Sequence, residues 1–195
     1  MSVSVLANDL NNALDYVAQG LDAPSATLDE LRQVLTESQK QLDEYFLQGV
    51  SVRGLVTKRA QLIDRLVIRL WADNELNGKG RTLLATGGYG RGELHPRSDI
   101  DIAVLLAKPP SPRTGKAISK FVAALWDVGL EIGHSVRTPR ECAVEARHDL
   151  TITTNLMEAR LLDGDPLLLA DMQKRTGPKR IWPTEKYFNA KRTEQ

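Results

Sequence analysis

Cysteine is almost missing from this chain. A single thiol, Cys142, in 195 residues cannot close a disulfide within the chain, which excludes a disulfide-stapled scaffold and makes a reducing compartment the simplest expectation. A surplus of one charge is missing too: 26 Lys and Arg stand against 25 Asp and Glu, a formal net charge of +1. That balance argues against a clustered basic surface for nucleic-acid backbone, although a small anion held locally is still allowed. No apolar run approaches the roughly 18 residues of a membrane span, and the opening MSVSVLANDLNN lacks the basic start of an export signal. The expectation is a cytoplasmic protein that is neither exported nor inserted. Repeats and low-complexity tracts are absent as well, while 42% hydrophobic residues suffice for an ordinary core.

What is present begins as helix. Leu10, Ala13, Leu14, Val17 and Ala18 recur at helical spacing until the stretch 20–26, which contains Pro24, breaks the pattern. Thr27 followed by Glu30 has the form of a capping box opening a second helix, which Gly49 should end. Val52, Leu55, Val56, Leu62, Ile63, Leu66, Val67 and Leu70 then give the cleanest amphipathic stripe, stopping near Asn77-Gly78-Lys79-Gly80. Of its basic residues, Arg53, Lys58, Arg59, Arg65 and Arg69, most should be solvated, with one or two facing a phosphate cleft. Residues 1–77 therefore read as an N-terminal helical segment. Residues 78–195 read as an α/β core with a small mixed sheet.

The core is organised by residues 83–106, LLATGGYGRGELHPRSDIDIAVLL. An apolar strand, 83–86, meets four glycines, and a second strand, 100–106, carries Asp99 and Asp101 at its start. Residues two apart on a strand share a face, so both carboxylates should point the same way while Ile100, Ile102 and Val104 pack the other side. Two like charges at that spacing call for a cation between them, and hard oxygen ligands favour Mg²⁺ shared with substrate phosphates. The glycines let backbone N–H groups approach those phosphates, with a positive φ expected at Gly88 and a helix opening at 90–94. Neither a GxxxxGK[ST] loop nor a GxGxxG register with a long following helix is present. Further on, Ile118, Phe121, Val122, Leu125 and Trp126 suggest a helix with Phe121 and Trp126 in the core, and 130–136 alternates as a strand with His134 on its apolar side. Thr138-Pro139-Arg140-Glu141 opens a helix, 149–155 is ambiguous, and 156–162 reads as a strand with Glu158 and Arg160 on one face. Asp163 to Pro166 turns into a short helix, Pro178 and Pro183 bracket a loop, and Thr184 caps a last helix.

The order hydrophobic-Gly-Gly then Asp-hydrophobic-Asp resembles the nucleotidyltransferase superfamily of polymerase β-like enzymes. More closely, GGYGRGELHPRSDID (87–101), LEIGHSVRT (130–138), NLMEARLLDG (155–164) and YFNAKRTEQ (187–195) resemble the bacterial uridylyltransferase/uridylyl-removing family that modifies the nitrogen-signalling protein PII. The resemblance implies a nucleotidyltransferase fold and transfer of UMP from UTP to a tyrosine hydroxyl of PII, with release of pyrophosphate. It implies two metal ions on Asp99 and Asp101, roughly 3.5 to 4 Å apart in such sites. Phosphates would lie against Gly87, Gly88, Arg91, Ser98 and Arg137. A third carboxylate is expected, Glu158 in preference to Glu131, set against a plain Glu158–Arg160 salt bridge. His134 is expected as a hydrogen-bonded core histidine. The stop at Gln195 looks like a truncation, since the family continues into further domains. The rival expectation is a nucleotide-binding or regulatory module without transferase activity of its own, and base choice is not readable from these residues.

Overall fold

The computed structural model describes residues 3–23, 25–181 and 192. Three helices come first, α1 (Val3–Asp22), α2 (Leu28–Leu47) and α3 (Val52–Asp73). Each start has its reason in the sequence. The capping box at Thr27 forms, with Thr27 Oγ1 accepting from the Glu30 N–H and Glu30 accepting from the Thr27 N–H, and the Ser51 hydroxyl accepts from the Gly54 N–H at α3. The stripe of α3 is buried as the periodicity requires, with Leu66 and Val67 fully enclosed. Its arginines are not merely solvated. Arg65 pairs with Asp22 at 2.6 Å, and Arg69 pairs with Asp73 at 2.7 Å while donating to the carbonyls of Leu21 and Ala23 at the end of α1.

Four strands follow in the spatial order β3-β2-β1-β4. β1 (Arg81–Ala85) and β2 (Ile100–Leu106) are neighbours, antiparallel, with Leu83 opposite Val104 and Ala85 opposite Ile102. β4 (Arg160–Gly164) lies antiparallel on the other side of β1, with an irregularity between Leu83 and Leu84. β3 (Ile132–Arg137) is the edge beyond β2 and is reached through the crossover helix α5 (Pro112–Asp127). Such a mixed sheet with helical connections is the expected fold class. The helices α6 (Pro139–His148), α7 (Leu150–Met157) and α8 (Pro166–Thr176) complete it with two single turns, α4 (Gly87–Gly90) and α9 (Pro178–Ile181). Leu84, Ala103 and Leu105 of the sheet pack with Cys142, Ala146, Leu156 and Met172. Burial pushes the Cys142 thiol up to about 11, against the smaller opposing pull of Arg137, so it is a core side chain and not a nucleophile.

The chain forms two compact units: Met1–Asn74 with Gly92–Ile100 and Ala117–Ile132, and Glu75–Arg91 with Asp101–Lys116 and Gly133–Gln195. In the first, Trp71 and Phe121 meet edge to face at 5.4 Å. Trp126, expected in the core beside Phe121, is 55% exposed instead; five residues beyond Phe121, it lies about 140° round the helix from it. The second strand expected over 156–162 begins only at Arg160, because Asp149 caps α7 through the N–H groups of Thr151 and Ile152 and carries the helix to Met157. Residues 178–181 form a helical turn where a loop was expected. The helix expected after Thr184 lies outside the described residues. Among the described residues no helix is long and apolar enough to cross a membrane.

Candidate active site

β1 delivers the chain to Thr86, which ends the strand by donating its N–H to the Asp101 carbonyl at 2.9 Å and serves as N-cap of the α4 turn. The turn opens at Gly87, earlier than the expected 90–94, and lasts four residues. Gly87 adopts φ +57°, while Gly88 is not among the left-handed glycines. The positive φ thus falls one residue before the expected place, where the chain must reverse from strand to helix without a Cβ in the way.

Asp101 sits at the centre of this unit. A Cβ on Gly87 would stand 3.0 Å from its Oδ2 and 3.7 Å from the Asn155 Oδ1, and a Cβ on Gly133 would collide with its Oδ1. Both carboxylate oxygens therefore lie over glycine backbone. An added Cβ at Gly133 would push the carboxylate aside, and at Gly87 the tight contact is joined by a positive φ that disfavours other residues. Sequence reading placed Gly133 merely on the polar face of its strand and passed over Asn155. The alternation Glu131-Gly133-Ser135 was the available signal for the first, and α7 hid the second. A cavity of about 250 Å³ opens here, lined by Thr86, Asp101, Gly133, Ser135, Arg137 and Asn155 among others. Arg137 and Asp101, both expected at the site, share it.

Arg91 and Glu158 are brought together as an ion pair of 2.7 Å. Glu158 is the C-cap of α7 rather than a strand residue. Gly90 packs so closely on the Glu158 carbonyl that a Cβ there would collide with it, which explains how the two side chains meet. Arg160 has a different task. Its guanidinium lies 5.6 Å from the Tyr89 ring centroid and donates to the Tyr89 and Gly90 carbonyls, anchoring the end of the glycine turn where a cation complements unsatisfied carbonyls.

Ser98 and Asp99 belong to the segment Gly92–Ile100 and are exposed, and β2 begins one residue after Asp99. Glu131 is exposed too, and its carbonyl accepts from the Ile100 N–H at 3.0 Å. His134, expected in the core, is exposed because β3 is an edge strand with no fully buried residue. Among the described residues no cluster of three or more His, Cys, Asp or Glu is placed to hold a metal. The acidic donors Asp99 and Asp101 are hard oxygens, two along the chain. Carboxylates of that kind suit a cation that takes one or two of them and draws the rest of its shell from substrate and water.

Comparison with known proteins follows the same motif. The nucleotidyltransferase domain matches residues 67–161, a span that contains the glycine turn, Asp99, Asp101, Arg137 and Glu158. A bifunctional uridylyltransferase/uridylyl-removing enzyme of Photobacterium profundum is 44% identical over 178 residues, 91% of this chain and 20% of that protein. This chain belongs to that family. The enzyme of the same name from Pseudomonas putida strain F1 is 45% identical over 154 residues, 78% of this chain and 17% of its own. That of Nitrosococcus oceani is 42% identical over 179 residues, 91% and 20%. The chain spans about a fifth of the length of these curated relatives.

Proposed function

We propose that this chain carries the nucleotidyl-transfer site of a uridylyltransferase acting on a tyrosine of the signalling protein PII. The tyrosine oxygen attacks the α-phosphorus of UTP, the bond to the bridging α–β oxygen breaks, pyrophosphate leaves, and the phenolic proton passes to a nearby base. Free tyrosine, with a pKa near 10, is a weak nucleophile at neutral pH. Mg²⁺ held by Asp99 and Asp101 would favour the phenolate and offset charge on the leaving pyrophosphate. The protein's own part is to fix the reactants. Backbone N–H groups at Gly87 and Gly88 approach the phosphates, with Arg91, Ser98 and Arg137 as further donors. Glu158 is proposed as the third acid ahead of Glu131, since its ion pair with Arg91 holds it next to the glycine turn.

The observation that carries this reading is the Asp101 carboxylate seated between Gly87 and Gly133 at the mouth of a cavity that Arg137 also lines. Nothing in a purely structural α/β domain would require two glycines to clear space for an acid. The alternative, a nucleotide-binding or regulatory piece inactive alone, is favoured by the small share of the relatives' length that the chain covers. Incubation with α-labelled UTP, Mg²⁺ and purified PII tests both. Label on PII, lost in Asp101→Asn, supports transfer; UTP binding without label supports the alternative, and neither would sink the nucleotide reading.

A further inference from the structure

The helical unit holds a second cavity system, lined by none of the residues around Asp101. Two pockets share Arg59 of α3, together with Gln39, Asp43 and Pro96. One, about 420 Å³, is walled by Leu42, Phe46, Val52, Leu55, Val56 and Leu94. The other, about 800 Å³, is polar and bounded by Gln39, Asp43, Arg97, Ser98 and Glu131 among others. An apolar chamber thus opens onto a charged one, with a guanidinium at the junction.

Arg59 differs from Arg65 and Arg69 along its helix. Arg65 and Arg69 have carboxylate partners within 2.7 Å, whereas Arg59 makes no ion pair among the described residues. Its Nη1 donates to the Gln39 side-chain oxygen, and its Nε is shut off from solvent with no hydrogen-bond partner among them. Burial lowers the pKa of the guanidinium, and the charge of Asp43 opposes this. A half-buried cation satisfied by one neutral acceptor is a costly arrangement, which a carboxylate gripping the fork would relieve. Nearby, Arg97 takes φ +65°, a left-handed backbone that a long side chain rarely adopts and that often marks ligand-binding loops. The charges facing the polar chamber balance, with Arg59 and Arg97 against Asp43 and Glu131. Such a balance suits a singly charged anion and disfavours a triphosphate.

We propose that this system is a binding site for a small monocarboxylate with an apolar tail or ring, its carboxylate on Arg59 and its body between Leu42, Phe46, Leu55 and Leu94. Its polar chamber shares Ser98 and Glu131 with the residues considered for the transfer site, but its test needs neither nucleotide nor metal. Titration of the 195-residue chain with benzoate and hexanoate, with benzyl alcohol as neutral control, tests it without metal. Both acids should bind saturably and the alcohol at least about tenfold more weakly, the difference a charge-assisted contact makes. Arg59→Met should lose acid binding while its unfolding midpoint rises, because an unsatisfied buried cation is replaced by an apolar side chain of similar length. Arg59→Lys, which keeps the charge but not the fork, should weaken binding less than Arg59→Met. Asp101→Asn should bind both acids as the parent does. No saturable binding, binding retained in Arg59→Met, a lowered midpoint in that variant, or loss of binding in Asp101→Asn would each overturn the proposal.

Discussion

The packed interior of α3 and the cradle around Asp101 are both close-fitting, but they fail in opposite ways. In α3 the fit is made by large side chains such as Leu66, Val67 and Trp71, all fully buried, and removing atoms leaves a hole. Around Asp101 the fit is made by absent side chains, at Gly87 and Gly133, and adding one carbon displaces the acid. Stability therefore depends on the first region and geometry of the site on the second. Mutations that enlarge or reduce each should separate the two.

Gly133→Ala should give the largest functional effect. The added methyl meets the Asp101 carboxylate, and a displacement of about 1 Å in a reacting constellation costs on the order of 100-fold in turnover. Steady-state transfer kinetics and the unfolding midpoint, measured on the same preparation, check this: turnover should collapse while the fold survives. A variant that unfolds with normal turnover per folded molecule would erase the contrast. Leu66→Ala should do the reverse, costing about 2–5 kcal/mol of stability by opening a cavity with transfer per folded molecule unchanged. Denaturant titration and the same kinetics decide. Smaller still is Thr138→Ala at the start of α6, where the Thr138 hydroxyl accepts from the Glu141 N–H and Glu141 returns the bond. Its loss should cost about 1 kcal/mol, visible as a lower denaturant midpoint. The Glu141 pKa is lowered by its bonds to the Thr138 N–H and hydroxyl. Its contribution is therefore present above the unfolded carboxylate pKa and fades as pH falls through the lower folded one, so the Thr138→Ala deficit should shrink in acid.

The same contrast explains what was legible in the sequence. Local rules fixed both capping boxes, the α3 stripe and the β1–β2 pair, because each depends on residues close in the chain or on a strong period. The stretch 149–155 was ambiguous because Ile152 and three threonines, Thr151, Thr153 and Thr154, favour strand, and the Asp149 cap tips them into helix. His134 alternates with apolar neighbours as a core residue would, yet its strand is an edge, and edge position is a property of the whole sheet. Trp126 follows the buried Leu125 directly, and that apolar run hides that it lies about 140° round the helix from Phe121. At the site, Asp99, Asp101 and the glycine turn stood out as a motif. That Gly133 lies under Asp101 and that Arg91 pairs with Glu158 are contacts between distant segments, with no local pattern to announce them.

The central claim is that Asp101 joins a divalent cation to a nucleoside triphosphate. Calorimetric titration of UTP into the parent chain and into Asp101→Asn, each with and without Mg²⁺, tests it most directly. Mg²⁺ should tighten UTP binding to the parent by at least about tenfold, equivalent to 1.4 kcal/mol, and that gain should vanish in Asp101→Asn with the unfolding midpoint preserved. A Mg²⁺-dependent gain that survives in Asp101→Asn, or no gain in the parent, would contradict the account.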